Sequence, residues 1–217
     1  MHTAPPPHSL STDQLSLLHE PVDRALARSA ETLSEMSGVP IAFTLATIDM
    51  IALPDVPTAV GNPGDPAIGI YVGMEGDGFG YVLLLMDESM AVQMAALMLG
   101  QDPATISLED ELPASALAEA GNVACSSFMN EVGDSTGLEL LAKPPVVVGD
   151  MRGAILDVAI ADIAQLGDDA LLITTQLGPE SAVKGSDALL QLRLLVIPTP
   201  DTLTALLEAL GSKARGE

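Results

Sequence analysis

The segment Ser115-Ala-Leu-Ala-Glu119-Ala-Gly-Asn122-Val-Ala-Cys125-Ser-Ser-Phe128-Met-Asn130 carries its apolar residues at helical spacing. At roughly 100° per residue, Leu117, Gly121, Ala124 and Phe128 share one face. Ser115, Glu119, Asn122 and Ser126 line the opposite one. The apolar stripe predicts a helix pinned to a core, presenting a hydroxyl, a carboxylate and a carboxamide in a row. Amphipathicity alone describes most solvated helices. What sets this helix apart is the pattern of the chain on either side.

Before it, Ser11-Thr-Asp-Gln14 reads as a capping box opening a helix to about Ser37, with Leu18, Val22, Ala25 and Ser29 inward and Pro21 as an interior kink. Gly38 and Pro40 end that helix. Ile41–Ile51 reads as a strand, and residues 54–66 as a Pro/Gly loop. Ala67–Met74 and Tyr81–Met86 flank the hairpin signal Glu75-Gly-Asp-Gly78. A helix from about Glu88 to Leu99 stops at Gly100. After an acidic linker, Ser107–Glu111, the programme repeats. The Ser115 helix is followed by Gly137, a branched run ending in Val146-Val147-Val148, apolar runs at Ala170–Gln176 and Leu189–Ile197 around a Gly/Pro/Ser loop, and a helix at Asp201–Leu210 stopped by Gly211. A shift of 99 places Ser16, Glu20 and Asp23 on Ser115, Glu119 and Asn122, and Gly38 on Gly137. A shift of 111 places Leu83-Leu84-Leu85 on Leu194-Leu195-Val196, and Gly100 on Gly211. The chain therefore reads as an internal duplication, each half helix–strand–hairpin–helix. The second half adds Gly153–Leu166, read as a helix on Ile155, Ala159 and Ile163. The expected fold is α+β: a pseudo-two-fold domain over 11–211, with halves at about 11–100 and 107–211, a shared, mostly antiparallel sheet, and helices packed on it. Residues 1–10 and 212–217 are expected to be tails.

Composition narrows the function. Of 217 residues, 48% are hydrophobic and 18% charged, so the chain is globular. With three Phe, two Tyr and no Trp, the core must be built from aliphatic residues and ten Met. A formal net charge of −22 repels a phosphate backbone, which argues against nucleic-acid binding. The single Cys125 precludes an internal disulfide and, from its place on the helix, is expected in the core. There is no secretory-type N-terminus and no apolar run long enough to span a membrane, so a cytoplasmic location is expected. His2, His8 and His19 lack metal-ligand spacing, and Gly76-x-Gly78-x-Gly80 joins two strands, which does not suit a nucleotide loop.

Ser115-x3-Glu119-x2-Asn122, followed after 22 residues by Pro145, resembles the signature of the CheC/CheX/FliY chemotaxis phosphatases, and the duplicated layout extends the resemblance from about residue 11 to 211. The resemblance implies hydrolysis of the phosphoaspartate of a CheY-like response regulator. Asn122 would position the attacking water and Glu119 would pair with a regulator lysine, while Ser115 and Pro145 support the site. It implies no cofactor of the protein's own, with Mg2+ supplied by the regulator, and a possible second partner in the CheD deamidase, for which the 153–166 helix is a candidate surface.

The first half departs from the pattern. It reads Ser16-x3-Glu20-x2-Asp23, and Ala46 stands where Pro145 is expected. Aspartate lacks the amide donors and adds a negative charge facing an anionic group, so the first site is expected to be weak or dead. The alternative from a different class is a non-catalytic binding module resembling the FliM middle domain. Asn122 favours the enzyme, as does an end at residue 217 that leaves no room for the further domain of the switch proteins.

Overall fold

The computed structural model describes residues 12–163, 169–179 and 190–215. The expected tail at 1–10, Ser11 of the capping box and most of the second-half loop lie outside them. Helix α1 spans Thr12–Ser37 with Pro21 inside it, and its Leu18, Val22, Ala25 and Ser29 are buried as the periodicity requires. Strand β1 is Ile41–Ala52, β2 Pro66–Gly76, β3 Gly80–Asp87, and helix α3 Glu88–Leu99, ended by a left-handed Gly100. The Pro/Gly segment between β1 and β2 is not wholly a loop. It holds a 3-10 turn at Leu53–Asp55 and a short α2 at Val56–Ala59, because Leu53, Val56 and Val60 bury their side chains there.

The second half opens with α4, Glu111–Thr136. The expected single branched run is split into β4, Leu140–Ala142, and β5, Val146–Met151; Pro144 and Pro145 between them have no N–H to give a ladder. Helix α5 follows at Arg152–Ile163, then β6 at Asp169–Pro179 and β7 at Leu190–Pro198. The last helix, α6, spans Pro200–Arg215. It does not stop at Gly211: a helical glycine costs only about 1 kcal/mol relative to alanine, and the flanking residues carry the helix on.

The seven strands form one sheet in the order β1-β6-β7-β3-β2-β4, with β5 also on β2, and every described pairing is antiparallel. The halves interlock. First-half β1 pairs with second-half β6, and second-half β4 and β5 pair with first-half β2. Both crossed ladders contain the same irregularity. In β1 the register slips by one residue between Leu45 and Thr47, leaving Ala46 over. In the second half the chain takes four steps from Ala142 to Val146 while β2 takes three from Met74 to Tyr71. Pro145 sits in that surplus, the counterpart of Ala46. The glycines that end α1 and α4 also agree: Gly38 (φ 71°) and Gly137 (φ 78°) both hold the left-handed conformation.

Helices α1, α3, α4 and α6 cover one face of the sheet, and α5 with the 53–60 segment lies on the other. Central β3 is buried on both faces: Val82, Leu84 and Met86 enter the larger core, and Leu83 and Leu85 the smaller. This explains why its sequence is a continuous apolar run. Helix α4 reaches the sheet through Gly121, where a Cβ would stand 2.6 Å from the Ile70 side chain on β2. Gly121→Val should therefore lift α4 from β2, lowering stability by about 1–3 kcal/mol in denaturant titration.

Candidate functional site

Asp110 starts α4 from an extended conformation and Gly137 ends it. Leu117, Gly121 and Phe128 of the predicted stripe are buried, with Ala120, Cys125, Met129 and Val132; Ala124 is half-buried beside them. On the other face Ser115 and Glu119 are exposed, and Asn122 and Ser126 are half-buried. The hydroxyl of Ser126 donates to Oδ1 of Asn122 at 3.4 Å. Among the described residues Glu119 has no ion-pair partner, so its carboxylate is available to an incoming cation. Pro145 is half-buried and leads into β5, which lies against α4. A groove of about 490 Å³ runs between β5, the start of β2 and the first turns of α4. Val146, 58% exposed, and Met151, 51% exposed, stand on β5.

Burial pushes the Cys125 thiol up to about 12 from an ordinary value near 9. The thiol is therefore protonated at neutral pH and has no nucleophilic character, as its position on the core face predicted. The raised value also fixes a direction for stability. Below pH 9 the thiol is neutral in both folded and unfolded chains; above it only the unfolded chain ionises, so stability falls as pH rises towards 12. At pH 10 the loss attributable to Cys125 should be on the order of 1 kcal/mol. A Cys125→Ala variant should show a correspondingly flatter alkaline limb in denaturation measured between pH 8 and 10.

Ser16, Glu20 and Asp23 occupy the matching positions on α1 and are all exposed. Their surroundings differ. Glu20 is ion-paired with Arg24 one turn on. Arg24 also reaches across to α4, donating to Glu131 Oε2 at 3.1 Å and to Ser135. Arg28 Nε meets the other oxygen of Glu131 at 3.0 Å. The Glu131 side chain is only 7% exposed, so two arginines of α1 clasp a buried carboxylate of α4. This clasp was not anticipated from the sequence. The spacing of Glu20 and Arg24 was a visible signal for the pair within α1, but the reach to Glu131 depends on how α1 and α4 pack. A cleft of about 550 Å³ lined by Ser16, Glu20, Arg24, Glu131, Asp134 and Ser135 lies beside it. Under the shift of 99, Arg24 corresponds to Val123 and Ala27 to Ser126. Among the described residues, the α4 face thus keeps a carboxylate without an ion pair and a supported carboxamide, and the α1 face keeps neither.

On the opposite side of the sheet, Arg152 is buried at the start of α5. It holds the Asn62 carbonyl at 2.9 Å and pairs with Asp65 and Asp87. Ile155 and Leu156 pack inward, while Val158 is 61% exposed. The expected 153–166 helix is therefore present as far as Ile163, with its last residues outside the described part.

Residues 68–167 match the family model described as chemotaxis phosphatase CheX. Over 207 residues the chain is 24% identical to the CheY-P phosphatase CheC of Bacillus subtilis (strain 168), covering 94% of this chain and 97% of that protein. In fold it is similar to Thermotoga maritima FliY (18% identity, TM-score 0.76, covering 94% of this chain and 98% of that one). It is also similar to the FliM middle domain of H. pylori (11%, TM-score 0.64, 92% and 99%). A chain of the CheX-CheY-BeF3-Mg2+ complex of Borrelia burgdorferi aligns at 16% identity and a TM-score of 0.50, covering 83% of this chain and 96% of that one. The family model, the curated relative and the fold agree: this chain is similar to the chemotaxis proteins of the CheC, CheX and FliY kind.

Proposed function

We propose that this protein is a protein aspartyl-phosphate phosphatase acting on a CheY-like response regulator in the cytoplasm, with one active site on α4. The observation that carries the reading is the α4 face: an exposed Glu119, without an ion-pair partner among the described residues, one turn from a half-buried Asn122. A phosphoaspartate is an acyl phosphate with a good leaving group. Its hydrolysis needs a water held in line with phosphorus more than it needs a strong base. The Asn122 oxygen accepts from that water, and its NH2 group donates to a phosphoryl oxygen. The water oxygen bonds to phosphorus as the bond to the aspartyl oxygen breaks, releasing inorganic phosphate and the regulator's carboxylate. Glu119 pairs with a regulator lysine and sets the docking distance. Ser115 adds a polar contact at the rim, and Pro145 fixes the bend into β5. Mg2+ belongs to the regulator, in keeping with the composition of the CheX-CheY-BeF3-Mg2+ complex.

The functional unit is the single domain 11–211, and Asp23 together with the engaged Glu20 leaves its first half inactive. The outward face of α5, with Val158, is the surface offered to a deamidase of the CheD kind. The FliM-like fold supports a second reading, in which the α4 face binds a regulator without turning it over.

Phosphate release from a CheY-type regulator fed with a small phosphodonor separates the two readings. Added protein should raise the steady rate, and Glu119→Lys should remove the gain until the regulator's lysine is changed to glutamate. Stable binding with no change in release would establish the binding-module reading instead.

A further inference from the structure

The α4 hydroxyl that follows Asn122 by one turn behaves unlike its neighbours. In mid-helix, serine and threonine ordinarily return their hydroxyl to the backbone carbonyl four residues back. Ser29, Thr32, Ser34, Ser37, Thr136 and Ser212 all do so in this protein, at 2.6–3.2 Å. Ser126 has the same option but is directed to the Asn122 carboxamide oxygen. Both side chains are half-buried, so the contact is partly shielded from competing water. The first half provides an internal contrast: where Asn122 is replaced by Asp23, Ser126 is replaced by Ala27.

We propose that Ser126 is a positioning residue for Asn122, orienting the carboxamide so that its NH2 group faces outward to the phosphoryl oxygens. The inference rests on the catalytic reading of Asn122. A carbonyl oxygen has two lone pairs. Ser126 occupies one, which leaves the second for the attacking water and restrains the rotation of the carboxamide. Without the hydroxyl, the carboxamide flips and rotates among orientations, only some of which hold the water in line. Ser126 touches neither water nor phosphate.

The test is single-turnover decay of a phosphorylated CheY-type regulator at saturating protein, with Kd for the same regulator measured separately in its beryllofluoride form. A net contribution typical of one neutral hydrogen bond predicts that Ser126→Ala slows decay about two- to tenfold with Kd unchanged. Ser126→Thr, which keeps the hydroxyl, should stay within about twofold of wild type. In the free protein, the Asn122 side-chain 15NH2 resonances should shift in the alanine variant and hold near their wild-type positions in the threonine variant. The proposal is overturned if Ser126→Ala decays regulator at the wild-type rate while Asn122→Ala is inactive. Equal losses in Ser126→Ala and Ser126→Thr, or a loss confined to Kd, overturn it as well. Full activity in Asn122→Ala would instead remove the catalytic reading beneath it.

Discussion

Replacing Asn122 by alanine should abolish the protein's effect on regulator dephosphorylation while leaving the complex intact. Alanine keeps the helix, so α4 remains seated through Gly121 and Leu117. What is lost is one acceptor for the water and one donor for the phosphoryl group, both acting in the transition state. Loss of a single oriented polar group of this kind costs about 10²–10³ in rate elsewhere, and a fall of at least about 10² is expected here. Kd for the beryllofluoride-loaded regulator should move little, because the substitution leaves untouched the Glu119 and α4 surface proposed to dock it. Asn122→Asp should be at least as damaging, since it keeps the shape but faces the phosphoryl group with negative charge and no donor. That is the state of Asp23 in the first half. Asp23→Asn alone should therefore add no measurable turnover, because Glu20 remains tied to Arg24.

The largest effect on stability is expected at the α1–α4 clasp. With Arg24 and Arg28 both changed to alanine, the buried Glu131 carboxylate loses both of its cations. A buried charge left without a partner costs about 3–5 kcal/mol. For a chain of this length that corresponds to a drop in Tm of roughly 10 °C by calorimetry. Either single variant should lose much less, because one arginine still faces the carboxylate. Glu131→Met in the double-alanine background should recover most of the loss, since the penalty arises from the stranded charge and not from the missing arginines. Regulator dephosphorylation at a permissive temperature should persist in all of these variants, because the clasp involves neither Glu119 nor Asn122.

The parts of this fold written in local periodicity were readable from the chain. The inward stripe of α1, the α4 face, strands β1 to β3 and helix α3 all follow from spacing and from glycine stops at positions 38, 100 and 137. The family signature placed Glu119 and Asn122 on one helix face, and they share it. What escaped depends on contacts distant in sequence. The order of strands, with β1 crossing to β6 and β5 to β2, is set by how two hairpins share a core, and no local pattern encodes it. Helix α2 forms in a Pro/Gly segment because three apolar residues find the second core beneath α5. Gly211 failed as a stop because glycine permits a left-handed turn but does not impose one. In the site, the difference between the halves was legible as Asn against Asp and as Pro145 against Ala46. The reach of Arg24 to Glu131, and the support of Asn122 by Ser126, required the side chains in place.

The most direct test of the catalytic account is the decay of a radiolabelled, phosphorylated CheY-type regulator under single-turnover conditions, with rising concentrations of the wild-type protein. The account predicts a first-order rate that climbs and saturates with protein concentration, with inorganic phosphate released in step with loss of label from the regulator. A decay rate that stays at its intrinsic value while the two proteins bind would contradict it and leave the α4 face as a docking surface.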